Sequence, residues 1–168
     1  MTYAIVFTSA TGNTRRVAEA IRDALPAEDC LYFGAPDAKA LGADFLFLGS
    51  WTDKGTCTDE LAAFFKTLQN RRVALFGTAG FGGAPAYFGM ILDRVAALLP
   101  ASCTVTARFM CQGGMQPSVR TRYEKLLAEK PGDPKLEGFL KNFDLAAAHP
   151  DAADLAGAAK FARDTMAE

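Results

Sequence analysis

Five short apolar segments alternate with helical patterns along the first 110 residues, and this alternation most constrains the fold. The segments are residues 3–7, 31–33, 45–48, 73–76 and 104–110. The helical patterns between them repeat apolar residues at spacings of three and four, as in Leu61, Phe64, Phe65 and Leu68. Strands that alternate with helices are typical of βαβ units, so we predict an α/β protein with a mainly parallel sheet.

The remainder of the chain, residues 111–168, is predicted to be a mainly helical tail. One apolar stripe consists of Val119, Tyr123, Leu126 and Leu127, and another of Leu136, Phe139, Leu140 and Phe143. The segment 131–134 (Pro-Gly-Asp-Pro) separates them, and a last helix begins at about Asp151. Because no linker or repeat interrupts the pattern, we predict one domain over residues 1–168.

Composition narrows the class of protein. The 18 basic and 19 acidic residues nearly balance, which argues against nucleic acid as a partner. The four cysteines show no C-x-x-C pairing and there is a single histidine, so no metal site is predicted. There is no leader-like start and no apolar run of membrane-spanning length, so we expect a cytoplasmic protein with no membrane partner.

The loop after the first predicted strand is rich in hydroxyl groups and leads directly into a helix. Backbone N–H groups and the helix dipole at such a position favour an anion, and a glycine lets the backbone approach it closely. Serine, threonine and asparagine also cap helices, but one cap needs only one of them. We therefore predict a phosphate-binding loop. Its candidate residues are Ser9, Ala10, Thr11, Gly12, Asn13 and Thr14.

Other phosphate loops do not match these residues. A Walker A loop needs lysine directly after its second glycine, whereas Gly12 is followed by Asn13. A dinucleotide fingerprint needs three spaced glycines, and this loop has one.

Two further loops each combine small residues with one aromatic side chain. The candidate binding residues after the third strand are Ser50, Trp51, Thr52 and Asp53, and those after the fourth are Thr78, Ala79, Gly80, Phe81 and Gly82. Trp51 and Phe81 either pack on a planar ligand or on neighbouring parts of the protein. After the fifth strand, residues 111–115 continue the small-residue pattern. Cys111 there is either reactive or, as is commoner, buried and inert.

These three loops resemble those of the flavodoxin family. Residues 9–14 are similar to its S/T-x-T-G-x-T loop, residues 76–82 to its second flavin loop, and residues 50–53 fall where its first flavin loop lies. The resemblance implies a doubly wound five-stranded parallel sheet of order 2-1-3-4-5. It also implies one bound flavin mononucleotide (FMN), with its phosphate on the first loop and its ring between Trp51 and Phe81.

The tail resembles a particular branch of that family. Cys111-Gln112-Gly113, Phe143-Asp144 and His149-Pro150-Asp151 are similar to a clostridial-type branch, some members of which are associated with bilirubin reduction in gut anaerobes. The single His149 is expected to be structural.

Three functions follow as hypotheses. The first is an electron carrier between a reductase and an acceptor protein, with no catalytic residue of its own. The second is an FMN-dependent reductase of a small molecule such as a quinone, or an accessory protein of a reductase. The third is a binding module that has lost the flavin. No Ser-His-Asp set or acid/base pair is evident, which favours a flat redox-active ligand over a hydrolysable substrate. Of the three hypotheses the carrier is favoured.

Overall fold

The computed structural model describes residues 1–82 and 84–167. Gly83, part of the glycine-rich segment after the fourth strand, and Glu168 lie outside the described residues. The strands are β1 (Tyr3–Thr8), β2 (Cys30–Gly34), β3 (Phe45–Trp51), β4 (Arg72–Ala79) and β5 (Thr104–Gln112). The helices are α1 (Asn13–Asp23), α2 (Asp59–Phe65), α3 (Pro85–Ala96), α4 (Pro117–Glu129), α5 (Pro134–Ala146) and α6 (Ala152–Ala167).

All five strands are parallel and lie in the order β2-β1-β3-β4-β5, which confirms the predicted topology. The very apolar β3 occupies the centre of the sheet, and β2 lies at an edge, as expected. This order places the carboxyl ends of β1, β3, β4 and β5 side by side along one edge of the sheet.

Helices cover both faces of the sheet because the strands are apolar on both sides. In β1, Tyr3 and Ile5 pack with α1 and α6, whereas Ala4 and Val6 pack with α2 and α3. Both pairs of side chains are fully buried. The sheet is therefore doubly wound, with one apolar cluster on each face.

All five strands extend beyond their predicted apolar runs, and Ser50, Thr78 and Ala79, which were predicted on loops, lie within β3 and β4. Trp51 is the last residue of β3 and pairs with Thr78, so it is not on a loop. Cys111 and Gln112 end β5 and pair with Thr78 and Ala79, so the tail begins after them. These additional residues pair with a neighbouring strand through backbone hydrogen bonds. Because their side chains are mostly small or polar, they lack the apolar pattern that predicts a strand.

Some predicted apolar stripes reach beyond the buried faces. Leu98, which continues the spacing of Tyr87, Ile91 and Val95 in the sequence, lies after the end of α3 and is 44% exposed. Leu126, on α4, is 39% exposed, whereas Tyr123 on the same helix is buried. These leucines continue the spacing in sequence, but nothing packs over them closely enough to bury them.

Helix α6 begins with a reciprocal cap. The Asp151 carboxylate accepts from the Asp154 N–H, the Asp154 carboxylate accepts from the Asp151 N–H, and both distances are 2.9 Å. The His149 ring bonds to Asp154 at 2.6 Å. The three side chains bring metal-ligand atoms within 4.8 Å of one another, and capping accounts for this grouping.

Within residues 1–82 and 84–167, no helix combines the length and the apolarity needed to cross a membrane.

Candidate functional site

A cavity of about 280 Å³ lies at the carboxyl ends of β1, β3, β4 and β5. Eight of the predicted site residues line it: Ala10, Thr11, Asn13, Trp51, Thr52, Thr78, Ala79 and Gly80. The structure thus brings residues from all three predicted loops to one cavity.

The wall also contains residues that were not predicted. Gly113, Gly114, Met115, Gln116 and Val119 come from the connection after β5 and from the start of α4. In the sequence, two consecutive glycines directly after the fifth strand indicated that this connection lies close to the site. Val119 gives no such signal, because it belongs to an ordinary helical stripe.

The predicted phosphate-binding loop contains a glycine in the left-handed region. Gly12 has φ of 90° and is the N-cap of α1, where a side chain on an L residue would be strained. The N–H groups at the start of α1 have no partner within the helix. That of Arg15 donates to the Ser9 hydroxyl at 3.3 Å, and those of Asn13 and Thr14 are available to a ligand.

The first turn of α1 carries Arg15 and Arg16 and no acidic residue. The positive end of a helix dipole disfavours cations there. Glu19 pairs with Arg15 at 3.0 Å but lies one turn further along. The start of the helix therefore carries an excess of positive charge, and a bound anion would offset that charge.

In the structure, two of the predicted phosphate-binding side chains hold the loop in place through hydrogen bonds. The buried Thr14 hydroxyl bonds to the Thr78 hydroxyl at 2.9 Å. The Asn13 amide donates to the Thr11 hydroxyl at 3.0 Å and to the Gly114 carbonyl at 2.8 Å. The Ser9 and Thr11 hydroxyls each accept one bond and keep an O–H that can be donated to a phosphate.

Replacing Thr14 with valine should lower the free energy of unfolding by about 1–2 kcal/mol, because the buried Thr78 hydroxyl loses its partner. Urea denaturation measures this change. Thr14→Ser keeps the hydroxyl and is the matched control. Adding Thr78→Val to Thr14→Val should recover part of the loss, and a purely additive double mutant would contradict the pairing.

Hydrogen bonds hold the backbone on both sides of Trp51. The buried Ser50 hydroxyl donates to the Trp51 carbonyl at 2.6 Å and accepts from Thr8 at 3.2 Å. The N–H and the hydroxyl of Thr52 both donate to the Thr78 carbonyl at 2.9 Å. Trp51 therefore stands on a fixed strand end, half-buried, where it also lines a neighbouring groove of about 570 Å³.

Seven predicted site residues do not line the cavity in the part of the chain that the structure describes: Ser9, Gly12, Thr14, Ser50, Asp53, Phe81 and Gly82. Ser9 and Gly12 line the neighbouring groove. The backbone of Asp53 exchanges two hydrogen bonds with Thr56, at 2.9 and 3.0 Å, and closes a tight turn.

The Phe81 ring packs against the tail. Its centroid lies 5.5 Å from that of Phe139 on α5, in an edge-on arrangement, and Phe139 in turn lies 5.2 Å from Tyr123 on α4. Of the two alternatives for Phe81, the described conformation shows contact with a neighbouring part of the protein. Stacking of Phe81 on a flavin stays a prediction.

Cys111 is buried at the end of β5. Burial raises the pKa of its thiol to about 12, and the nearby Asp154 and Asp151 charges act in the same direction. The thiol is therefore protonated at neutral pH, which agrees with an inert cysteine.

Comparison with known proteins identifies the family. Residues 4–163 match the flavodoxin domain family, and the chain belongs to it. It is 38% identical over 178 residues to the flavodoxin-like domain-containing protein BilS of Clostridium symbiosum, covering 96% of this chain and 94% of that protein. Identity to BilS of Clostridioides difficile is 27% over 170 residues, with the same coverage. Both relatives come from clostridia, as the resemblance of the tail predicted.

A solved structure shows the same fold. Oxidised flavodoxin 2 from Bacillus cereus superposes with a TM-score of 0.60 over 99% of both chains, at 16% identity.

Proposed function

We propose that this protein binds one FMN in the cavity at the ends of β1, β3, β4 and β5, and passes electrons between redox proteins in the cytoplasm. One observation carries the proposal: the start of α1, with no acidic residue in its first turn, faces a groove lined by Ser9 and Gly12, and this groove shares Ala10 and Trp51 with the cavity. This combination suits a ligand with a phosphate at one end and a flat ring at the other.

Each part of the site has a role in this proposal. The N–H groups at the start of α1 and the hydroxyls of Ser9 and Thr11 hold the phosphate. The Trp51 indole supports one face of the ring, and the backbone of residues 78–80 borders it. When bound, FMN supplies the redox chemistry, while the protein supplies placement and surroundings. The side-chain hydrogen bonds of Asn13, Thr14 and Ser50 keep the loop backbone and Trp51 in position.

A second candidate is an FMN-dependent reductase of a small molecule such as a quinone. The groove of about 570 Å³ favours it, because it shares Ala10 and Trp51 with the cavity and extends beyond the proposed phosphate site at Ser9 to Phe33 and Glu60. Its volume lies within the range of about 300–1,000 Å³ that is typical of small-molecule sites. Turnover of NAD(P)H with a quinone by the FMN-loaded protein alone would select the reductase, and turnover only with a partner protein would select the carrier.

Titration of the apoprotein with FMN and with riboflavin tests the proposal. Riboflavin has the same ring but no phosphate, so it should bind at least about tenfold more weakly. Thr11→Ala should weaken FMN binding and leave riboflavin binding unchanged. If FMN and riboflavin bind equally well, or neither binds at micromolar concentration, the proposed phosphate site is wrong.

A further inference from the structure

The tail contains a helical hairpin, residues 115–147, in which α4 and α5 pack together. We infer that this hairpin is part of the flavin site, and that Asn142 on α5 is a positioning residue for the loop after β4. The inference rests on the proposed function for its flavin part. The contacts below carry its structural part.

The base of the hairpin is closed and joined to the phosphate loop. The Gly114 N–H donates to the His149 carbonyl at 3.0 Å. The segment that enters the hairpin and the segment that leaves it are therefore hydrogen-bonded to each other. The Gly114 carbonyl accepts from the Asn13 amide at 2.8 Å. Met115 and Val119 line the cavity from this base. The hairpin is therefore a wall of the cavity, fastened to the phosphate loop.

A pair of side-chain amides fastens the hairpin to the loop after β4. Gln112 and Asn142 both donate to the Gly80 carbonyl at 3.0 Å, and Gln112 also donates to the Asn142 side-chain oxygen at 3.1 Å. Gln112 is 8% exposed. Two donors on one carbonyl fix its direction, and because a peptide unit is planar they also fix the N–H of Phe81.

An aromatic contact makes a second attachment one residue further on, where Phe81 packs against Phe139. Without these contacts, a loop with glycine at positions 80 and 82 would have many conformations. Ordering the loop before the ligand arrives removes that entropic cost from binding. The hairpin therefore preorganises the wall at Gly80, which is a positioning role and not a catalytic one.

The test compares Asn142→Ala with Lys141→Ala, an exposed neighbour on the same helix. In the apoprotein, hydrogen exchange of the Phe81 and Gly82 amides should be faster in Asn142→Ala only. The dissociation constant for FMN should rise about tenfold, or about 1.4 kcal/mol, mainly through faster release. Asn142→Asp keeps an acceptor for Gln112 but places a carboxylate against the Gly80 carbonyl, so its effect should be at least as large.

Circular dichroism and thermal melting check that the variants fold. If Asn142→Ala does not fold, Asn142→Asp and Gln112→Ala provide the same two readouts. Unchanged exchange at Phe81 and Gly82 in folded variants would overturn the positioning role. Faster exchange with unchanged FMN affinity would overturn the link between the hairpin and the flavin. If the wild-type protein binds no FMN, the proposed function fails, and hydrogen exchange in the apoprotein still decides the role of Asn142.

Discussion

Replacing Trp51 with alanine is expected to weaken FMN binding by about 10- to 100-fold, because the loss of an aromatic stacking plane costs about 1–3 kcal/mol. The bound flavin should also recover fluorescence, since an indole in contact with the ring quenches it by electron transfer. Trp51 stands at the end of β3, where Ser50 and Thr52 fix the backbone on either side. Fluorescence titration of the apoprotein measures both effects.

Trp51→Phe is the matched control, because it keeps an aromatic plane at the same strand end. We expect it to retain most of the affinity. Trp51 is only half-buried, so both variants should melt close to the wild-type temperature. If Trp51→Ala binds FMN as tightly as the wild type, Trp51 does not contact the ring, and the flavin lies elsewhere in the site.

Replacing Gly49 with alanine should lower the free energy of unfolding by about 3 kcal/mol or more, because it overfills a closed part of the core. Gly49 lies in the central strand, opposite Phe7 on one side and Phe76 on the other. A Cβ at Gly49 would lie 2.1 Å from the ring of the buried Phe76. The cavity that borders the Phe76 ring holds only about 10 Å³, which is too little space for the ring to move into. Urea denaturation measures the loss.

Gly89→Ala is the control for this substitution. Gly89 lies within α3, and a Cβ there meets nothing within 4 Å, so alanine should be neutral or stabilising. In the Gly49→Ala background, Phe76→Leu should recover part of the lost stability by vacating the space of the ring. A Gly49→Ala protein as stable as the wild type would mean that β3 and Phe76 are less closely packed than described.

Local patterns in the sequence predicted most of the sheet and the phosphate loop. The buried run that forms β3 indicated a central strand, because only a strand covered on both faces is apolar at successive positions. Residues 9–14 indicated an anion site, because a strand end, a glycine and a helix start are neighbours in the chain. Trp51 was placed correctly at the sheet edge, although it ends a strand and does not lie on a loop.

Apart from the small residues after β5, the wall of the cavity opposite the predicted loops could be identified only from the tertiary structure. Asn142 and Gly80 are 62 residues apart, and Asn13 and Gly114 are 101 residues apart. An amide that bonds to a distant carbonyl leaves no periodic pattern, because the pairing depends on where two separate segments meet. The sequence alone therefore predicted the strands and indicated an anion site at residues 9–14, because both depend on neighbouring residues. The order of the sheet followed from the family resemblance, and the structure confirms it. Only packing of the hairpin against the sheet edge decided which residues close the cavity and hold the loop at Gly80.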